Sequence, residues 1–589
     1  MEPVTIKNEN YEAAQAIPAS VTPQPPQVST TALPAAPEPE PEAAAEAPRN
    51  INPYFSFMGI GSLIYAFFYT FFLYKNTSGI TYPFFVGGTC FFFFFYLKKS
   101  GTTAKKFSVF LTASLILLGI STCATDSWVL QFFNKIGIFF LFFYLMLHNL
   151  YNDKSWDLPK YLFSVLNVSL LSIAFIFHPF IDLSDFLKEK RKAANKPEGK
   201  GKYVFFGLLI ALPLLFVIIL LLYSADAVFS DIFDRLFTLD FDFTHLFGIL
   251  SMFLFAFFAS YSIMCRLSFH SLKEEMPDKR TGEPVMGITF TGLIALVYLV
   301  FCYIQVVYLF GGLGTLPEDY TYASYAREGF FQLVFVCLIN LMLVLICMKR
   351  FRANKVLKGI LTFISLCTYV MIASSTYRML LYIQAYQLTF LRVFVLWALF
   401  VIFLLMSVAL VTIYRESFPF TRYCLVSVTV LYIMFSFAHP DYWIAKYNLD
   451  HYRPASSGEE NGSRTDLPAS YVDGNTDFYY LRNLSWDAAP VIFGKADELG
   501  FGANPKWWFT SYGASIVKVS YDFQTEELNK LWVEEGLCLP KKMSPRKWNL
   551  SRWRAQNIYT EYYKSHEKYA GEIEYNIMDY ASPFCSSRF

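Results

Sequence analysis

Twelve apolar stretches of about 20 residues each occupy the chain from Tyr54 to Ala438, and this repetition constrains the fold more than any other feature. They fall near 54–74, 80–97, 107–125, 129–149, 160–180, 203–223, 244–265, 287–310, 329–348, 358–383, 391–414 and 422–438. A helix rises about 1.5 Å per residue, so each stretch can cross the ~30 Å hydrocarbon core of a bilayer. With 55% hydrophobic and only 16% charged residues, the chain lacks the polar side chains to surface several soluble domains. The phenylalanine run at 91–95 would aggregate in water but packs readily against lipid or other helices. The expected fold class is therefore an all-α polytopic membrane protein.

Lysine and arginine in short connections stay cytoplasmic, so the charge of each connection tests the number of crossings. Lys98, Lys99, Lys105 and Lys106 fill one loop, and Lys188, Lys190, Arg191, Lys192, Lys196, Lys200 and Lys202 fill another. Both belong inside, yet three apolar stretches separate them and two inside loops require an even number of crossings. One stretch must then fail to span. The best candidate is 160–180, which follows Pro159 and ends at His178 and Pro179, and which reads as a re-entrant or interfacial helix. Further along, the connections carrying Arg266 and Arg280, Lys349 to Lys358, and Arg415 to Arg422 fall inside, while 224–244, 311–328 and 384–390 fall outside. The alternation gives about eleven transmembrane helices in the plasma membrane, with a cytoplasmic N-terminus and an extracytoplasmic C-terminus.

Residues 1–50 are rich in Pro, Ala and Glu, have no hydrophobic period and read as a disordered cytoplasmic tail. They lack the basic start and cleavage site of a secretory signal, so the stretch from Tyr54 is expected to serve as an uncleaved anchor. The transmembrane part runs over 54–439. Residues 440–589 are expected to form a small, mainly helical extramembrane domain, with helical patterns at 442–447, 478–487 and 552–564 and a mobile loop at 456–475. Cys90, Cys123, Cys265, Cys302, Cys337, Cys347, Cys367 and Cys424 lie in or beside apolar stretches, where a thiol packs as a small hydrophobe. Cys538 and Cys585 lie in the polar C-terminal part and would pair only in an oxidising compartment.

Walker A, Rossmann, HExxH, CxxC and GxSxG patterns are absent, and the seven histidines stand singly. Neither a metal, a cofactor nor an enzymatic reaction is indicated. Charges beside a hydrocarbon core are costly and call for a reason. Asp226 closes the sixth stretch, Arg327 and Glu328 open the ninth, Arg378 lies near the end of the tenth and Arg392 opens the eleventh. All are expected near the outer leaflet, as helix-end ion pairs that fix register or as a receptor for an anionic headgroup or ligand. Residues 224–239 read as an amphipathic helix on that outer interface. Gln305, Gln332 and Asn340 are expected to bond across helices. Lys541, Lys542, Arg546, Lys547, Arg552 and Arg554 interleave with Trp548 and Trp553, which fits lipid headgroups or a solvated helix face, while an external position disfavours nucleic acid.

In the stretches 215–229, 325–333 (YAREGFFQL), 377–392 (YRMLLYIQAYQLTFLR), 440–449 and 477–490 (DFYYLRNLSWDAAP), the chain resembles a bacterial family of multi-pass membrane proteins catalogued as a domain of unknown function. The resemblance spans about Tyr203 to Val491. It implies the same many-helix architecture, assigns no activity, and draws attention to Asp226, Arg327, Glu328, Tyr377, Arg378, Tyr382 and Arg392. The expected function is a membrane-embedded binding or signalling component whose outward, arginine-lined pocket takes an anionic lipid or cell-envelope molecule, the bilayer being its other partner. A small-solute transporter and a structural scaffold are the alternatives. The first lacks a visible inverted repeat or a mid-span acid, and the second uses the same charges as helix-end pairs. No signature bears on oligomeric state.

Overall fold

The computed structural model describes residues 52–193, 243–268, 280–310, 329–415, 418–452, 476–500, 507–520 and 539–566, with short pieces that include 221–226, 228–230 and 472–473. Its apolar stretches are helices: α1 (Asn52–Leu73), α2 (Thr81–Lys99), α3 (Ser108–Ala124), α4 (Trp128–Leu150) and α5 (Leu158–Leu171), then α6 (His178–Ala193) and α7 (Phe243–Ser268). There follow α8 (Pro284–Ile304), α9 (Phe330–Arg350), α10 (Lys355–Tyr386), α11 (Phe390–Tyr414) and α12 (Phe420–Phe437). The expected tail at 1–50, Cys538 and Cys585 lie outside the described residues, as do most of 203–223 and of the expected amphipathic helix at 224–239.

Among the described residues, eight helices are long and apolar enough to cross a membrane. Their outer faces require a non-aqueous solvent: on α8, Leu293, Val297 and Val300 are 65%, 64% and 56% exposed. Inside the bundle, polar side chains find partners across helices. Fully buried Asn134 on α4 accepts hydrogen bonds from Tyr432 (2.8 Å) and Ser436 (3.0 Å) on α12. Asn340 on α9 accepts from Tyr298 on α8 (2.7 Å) and donates to Thr368 on α10 (3.0 Å), whereas Gln332 is exposed. The eight apolar-segment cysteines are free thiols, all but Cys302 fully buried. Helices α1 and α2 approach closely at Gly88, where a Cβ would come within 2.1 Å of the Phe68 ring.

The helix connections gather at two ends. At one, the α2–α3, α4–α5, α9–α10 and α11–α12 connections meet. Lys105 reaches Asp153 (3.4 Å), Asp157 pairs with Lys349 (2.7 Å), Gly282 bonds the backbone of Arg350 (3.0 Å), and Arg422 covers the Phe107 ring (4.9 Å). Lysine and arginine dominate these turns, so we call this the basic end. At the other, the connections after α1, α3, α10 and α12 meet the C-terminal helices α13 (Pro440–Asp450), α14 (Phe478–Arg482), α15 (Ala489–Gly494), α16 (Trp507–Ser520) and α17 (Leu550–Ser565). These have their own core, in which Phe478 stacks on Trp508 (5.0 Å) beside Tyr512, Ile516 and Tyr559. A two-residue antiparallel ribbon pairs Val472–Asp473 with Thr476–Asp477.

Helix α5 enters from the basic end, where Asp157 caps it by accepting from the Lys160 N–H (3.0 Å). Asn167 then bonds Arg266 (3.1 Å) in the last turn of α7, Phe180 packs on Phe258 (5.8 Å), and Asp182 accepts from the Tyr261 hydroxyl (2.6 Å). After Phe180 the chain thus moves along α7 back toward its basic-end terminus.

Candidate functional site

The residues singled out in the sequence separate into three groups. Asp226 is exposed, and its carboxylate accepts from the backbone N–H groups of Val228 (2.8 Å) and Phe229 (3.3 Å), as a helix-capping aspartate does. Arg327 and Glu328 lie outside the described residues. Tyr377, Arg378, Tyr382 and Arg392 sit at the end of the bundle capped by the C-terminal helices.

Arg378 and Tyr382 are four residues apart on α10, so they share a face. The Arg378 side chain is buried and donates to Gln305 (3.3 Å), which also accepts from Ser374 (2.6 Å). Its guanidinium lies against Gly329, the residue that opens α9 with φ +88°, where an added Cβ would stand 3.4 Å from it. Tyr382 carries the guanidinium of buried Arg392 over its ring at 4.1 Å. Arg392 also donates to the carbonyls of Tyr386 (2.6 Å) and Gln387, holding the turn between α10 and α11. Tyr377 is 41% exposed on the helix surface. The structure therefore brings Arg378, Tyr382 and Arg392 into one row and leaves Tyr377 and Asp226 at the surface.

A denser polar cluster lies at the same end, assembled from segments that the sequence reading did not connect. Asp487 is buried, accepts from the Thr125 hydroxyl and the Asp126 N–H (3.2 Å), and lies 3.3 Å from His439. Asp126 accepts from Arg552 (2.6 Å), and buried Asn549 donates to the carbonyls of Ser78 (3.1 Å) and Thr125 (3.0 Å). Asp441 accepts from the backbone N–H (3.3 Å) and hydroxyl (2.5 Å) of Ser485. Of the basic C-terminal residues, Arg546 and Arg552 thus face the bundle, Arg546 donating to the Tyr74 carbonyl (3.0 Å). The sequence signal was present but weak: single carboxylates beside helix ends at Asp126, Asp441 and Asp487, with His439 before a proline.

The backbone is strained here. The positive-φ residues other than glycine among those described are Lys75 (50°), Gln387 (62°) and His439 (49°), and each sits in a connection at this capped end. A side chain in the left-handed region costs about 1–2 kcal/mol, so surrounding contacts must hold it. For His439 that contact is Asp487, and for Gln387 it is Arg392.

The two buried carboxyls titrate in opposite directions. Burial, reinforced by the neighbouring charge of Asp487, pushes Asp441 up to about 6. Burial also acts to raise Asp487, but the His439 imidazole and the Thr125 hydroxyl outweigh it and hold that group below the usual carboxylate range. A raised carboxyl stabilises the fold below its unfolded value near 4, and that contribution is lost as pH rises through about 6. Asn replaces the protonated acid closely, so Asp441→Asn should match the wild type at pH 4 and exceed it by on the order of 2 kcal/mol at pH 7. Thermal unfolding of both proteins in nanodiscs across that range checks this; parallel profiles would remove Asp441 as the titrating group.

Among the described residues no group of three or more His, Cys, Asp or Glu is placed to hold a metal ion. No curated protein and no solved structure matches the chain. A family model does match, over residues 112–493, and so begins well before the resemblance at Tyr203, taking in the Thr125–Asp126 connection as well as Arg378, Arg392, Asp441 and Asp487. The chain belongs to the family described as Domain of unknown function (DUF4153).

Proposed function

We propose that this chain is a membrane-embedded binding component of the cell envelope, receiving an anionic envelope molecule beside Arg378, Tyr382 and Arg392. The observation that carries the reading is the convergence of two buried guanidinium groups and a tyrosine at one end of a bundle of apolar helices. Cations at the edge of a hydrocarbon core suit a lipid phosphate or carboxylate, which arginine can hold with two parallel hydrogen bonds.

The membrane placement belongs to the same proposal. With the basic end in the cytoplasm, as the distribution of Lys and Arg favours, the C-terminal helices lie outside the cell. The return of the chain past Phe180 and Asp182 along α7 supports a re-entrant segment at 160–180 and about eleven spans in all. An accessible-cysteine map on either side of α5 tests this: labelling of Asp157→Cys and Lys188→Cys from opposite faces would exclude the re-entrant path.

Binding is tested by replacing Arg327 and Arg378 together with Gln and measuring retention of phosphatidylglycerol against phosphatidylcholine by native mass spectrometry. Loss of a charge-assisted bond worth about 1.5–3 kcal/mol should weaken phosphatidylglycerol roughly tenfold or more. Unchanged lipid preference in a folded variant would sink the reading. A scaffold role has one observation in its favour, the engagement of Arg392 with backbone carbonyls, and predicts that outcome.

A further inference from the structure

The basic end encloses a cavity of about 410 Å³, on the face opposite Arg378 and independent of the reading above. Its walls come from the turns before α5, α8, α10 and α12. Lys154, Arg280, Lys349, Arg352, Lys358 and Arg422 line it, against the carboxylates Asp153 and Asp157. Both carboxylates are already engaged. Asp153 accepts from His148, Tyr161 and Lys105, and although burial acts to raise it, these contacts hold it down at about 2. Asp157 caps α5 and pairs with Lys349 (2.7 Å). Arg352 also pairs with Glu283 (3.5 Å) at an exposed position, and the residues lining the cavity carry more positive than negative charge.

Two helices begin at its wall. Asn354 caps α10 by accepting from Val356 N–H (2.8 Å), but α12 follows Pro419, which supplies no side-chain cap. Thr421 and Arg422 in that uncapped first turn line the cavity, so the positive end of the α12 dipole adds to the side-chain charge. Phe351, Phe418 and Phe420 add apolar wall beside the cations. The volume lies within the ~300–1,000 Å³ range of small-molecule sites.

We propose that this cavity binds a phosphate-bearing anion with an apolar or ring portion, through Lys154, Arg352, Lys358 and Arg422. A soluble phosphate ester and a phospholipid headgroup share that chemistry, and the experiment separates them. The full chain is placed in phosphatidylcholine nanodiscs and titrated with inorganic pyrophosphate by calorimetry. In a second arm the nanodiscs contain phosphatidic acid in phosphatidylcholine, and retained lipid is read by native mass spectrometry.

The variant Lys154→Gln/Arg352→Gln/Lys358→Gln removes three cavity cations. A control, Lys98→Gln/Lys99→Gln/Lys355→Gln, removes as many charges from the same end outside the cavity. Unliganded melting temperature establishes that both fold. Binding in either arm should weaken on the order of a hundredfold in the cavity variant and little in the control. Pyrophosphate binding identifies a soluble ligand, and phosphatidic acid binding alone identifies a headgroup. No binding above that of chloride in either arm, or equal loss in the two variants, overturns the proposal.

Discussion

Asp487→Leu should loosen the C-terminal helices from the bundle and lower the unfolding free energy by about 3 kcal/mol, the scale of breaking a buried, hydrogen-bonded charge pair from one side. The carboxylate is almost fully buried and is shared by His439, the Thr125 hydroxyl and the Asp126 N–H. Leucine leaves all three donors without that acceptor in a place water reaches poorly. It also removes the contact that holds His439 in a left-handed conformation next to Pro440, a residue pair that otherwise favours extended backbone. Melting in nanodiscs and limited proteolysis of the C-terminal helices would record the change. Asp497→Leu, at an exposed carboxylate 3.1 Å from His566, provides the comparison. A drop no larger than that control would show that Asp487 does not hold the junction.

Arg392→Met should cost a similar amount, about 3 kcal/mol, but locally. The methionine keeps apolar bulk against Tyr382 while losing the donors to the Tyr386 and Gln387 carbonyls. Gln387, with φ 62°, then has less to hold it in the left-handed region. The following residues bind the C-terminal helices directly: Leu388 N–H donates to Asn448 (2.8 Å), and Phe390 N–H donates to the Tyr480 hydroxyl (2.7 Å). Hydrogen exchange at these two amides should accelerate by on the order of a hundredfold if this turn opens as a local unit. Unchanged exchange at both would mean that the arginine is not what fixes the turn.

The apolar segments were legible because crossing length is a local property: about 20 residues of one character suffice to declare a helix. Charge counting marked 160–180 as the stretch expected not to span, yet the helix Leu158–Phe175 is itself long and apolar enough to cross a membrane. The short helical patterns at 442–447 and 552–564 fall within α13 and α17, whereas that at 478–487 is helical only over Phe478–Arg482 and again from Trp486. The Asp126, Asp487 and Arg552 cluster was not legible. Its members lie 361 and 426 residues apart, and nothing in the residues around each one names the partner. Arg392 was visible as a charge at a helix start, but its engagement with the Tyr386 and Gln387 carbonyls depends on a left-handed turn that sequence does not announce. The basic cavity was likewise hidden in plain counting: its lysines and arginines were read as topology signals, and only the fold sets them around a common space.

The insertion of Arg546 and Asn549 between the ends of α1 and α3 also bears on biogenesis. Asn76 donates to the Arg546 carbonyl (2.7 Å) across 470 residues, and Ile80 N–H donates to the Trp548 carbonyl (2.7 Å). While the ribosome is still translating the later spans, the α1–α2 hairpin is already in the bilayer with those groups exposed to water. Its final hydrogen bonds await segments translated some 470 residues later. This end therefore cannot close before Arg546 and Asn549 have been made, and nascent chains stalled before Arg546 should carry a first hairpin whose Asn76 and Ile80 groups lack those partners.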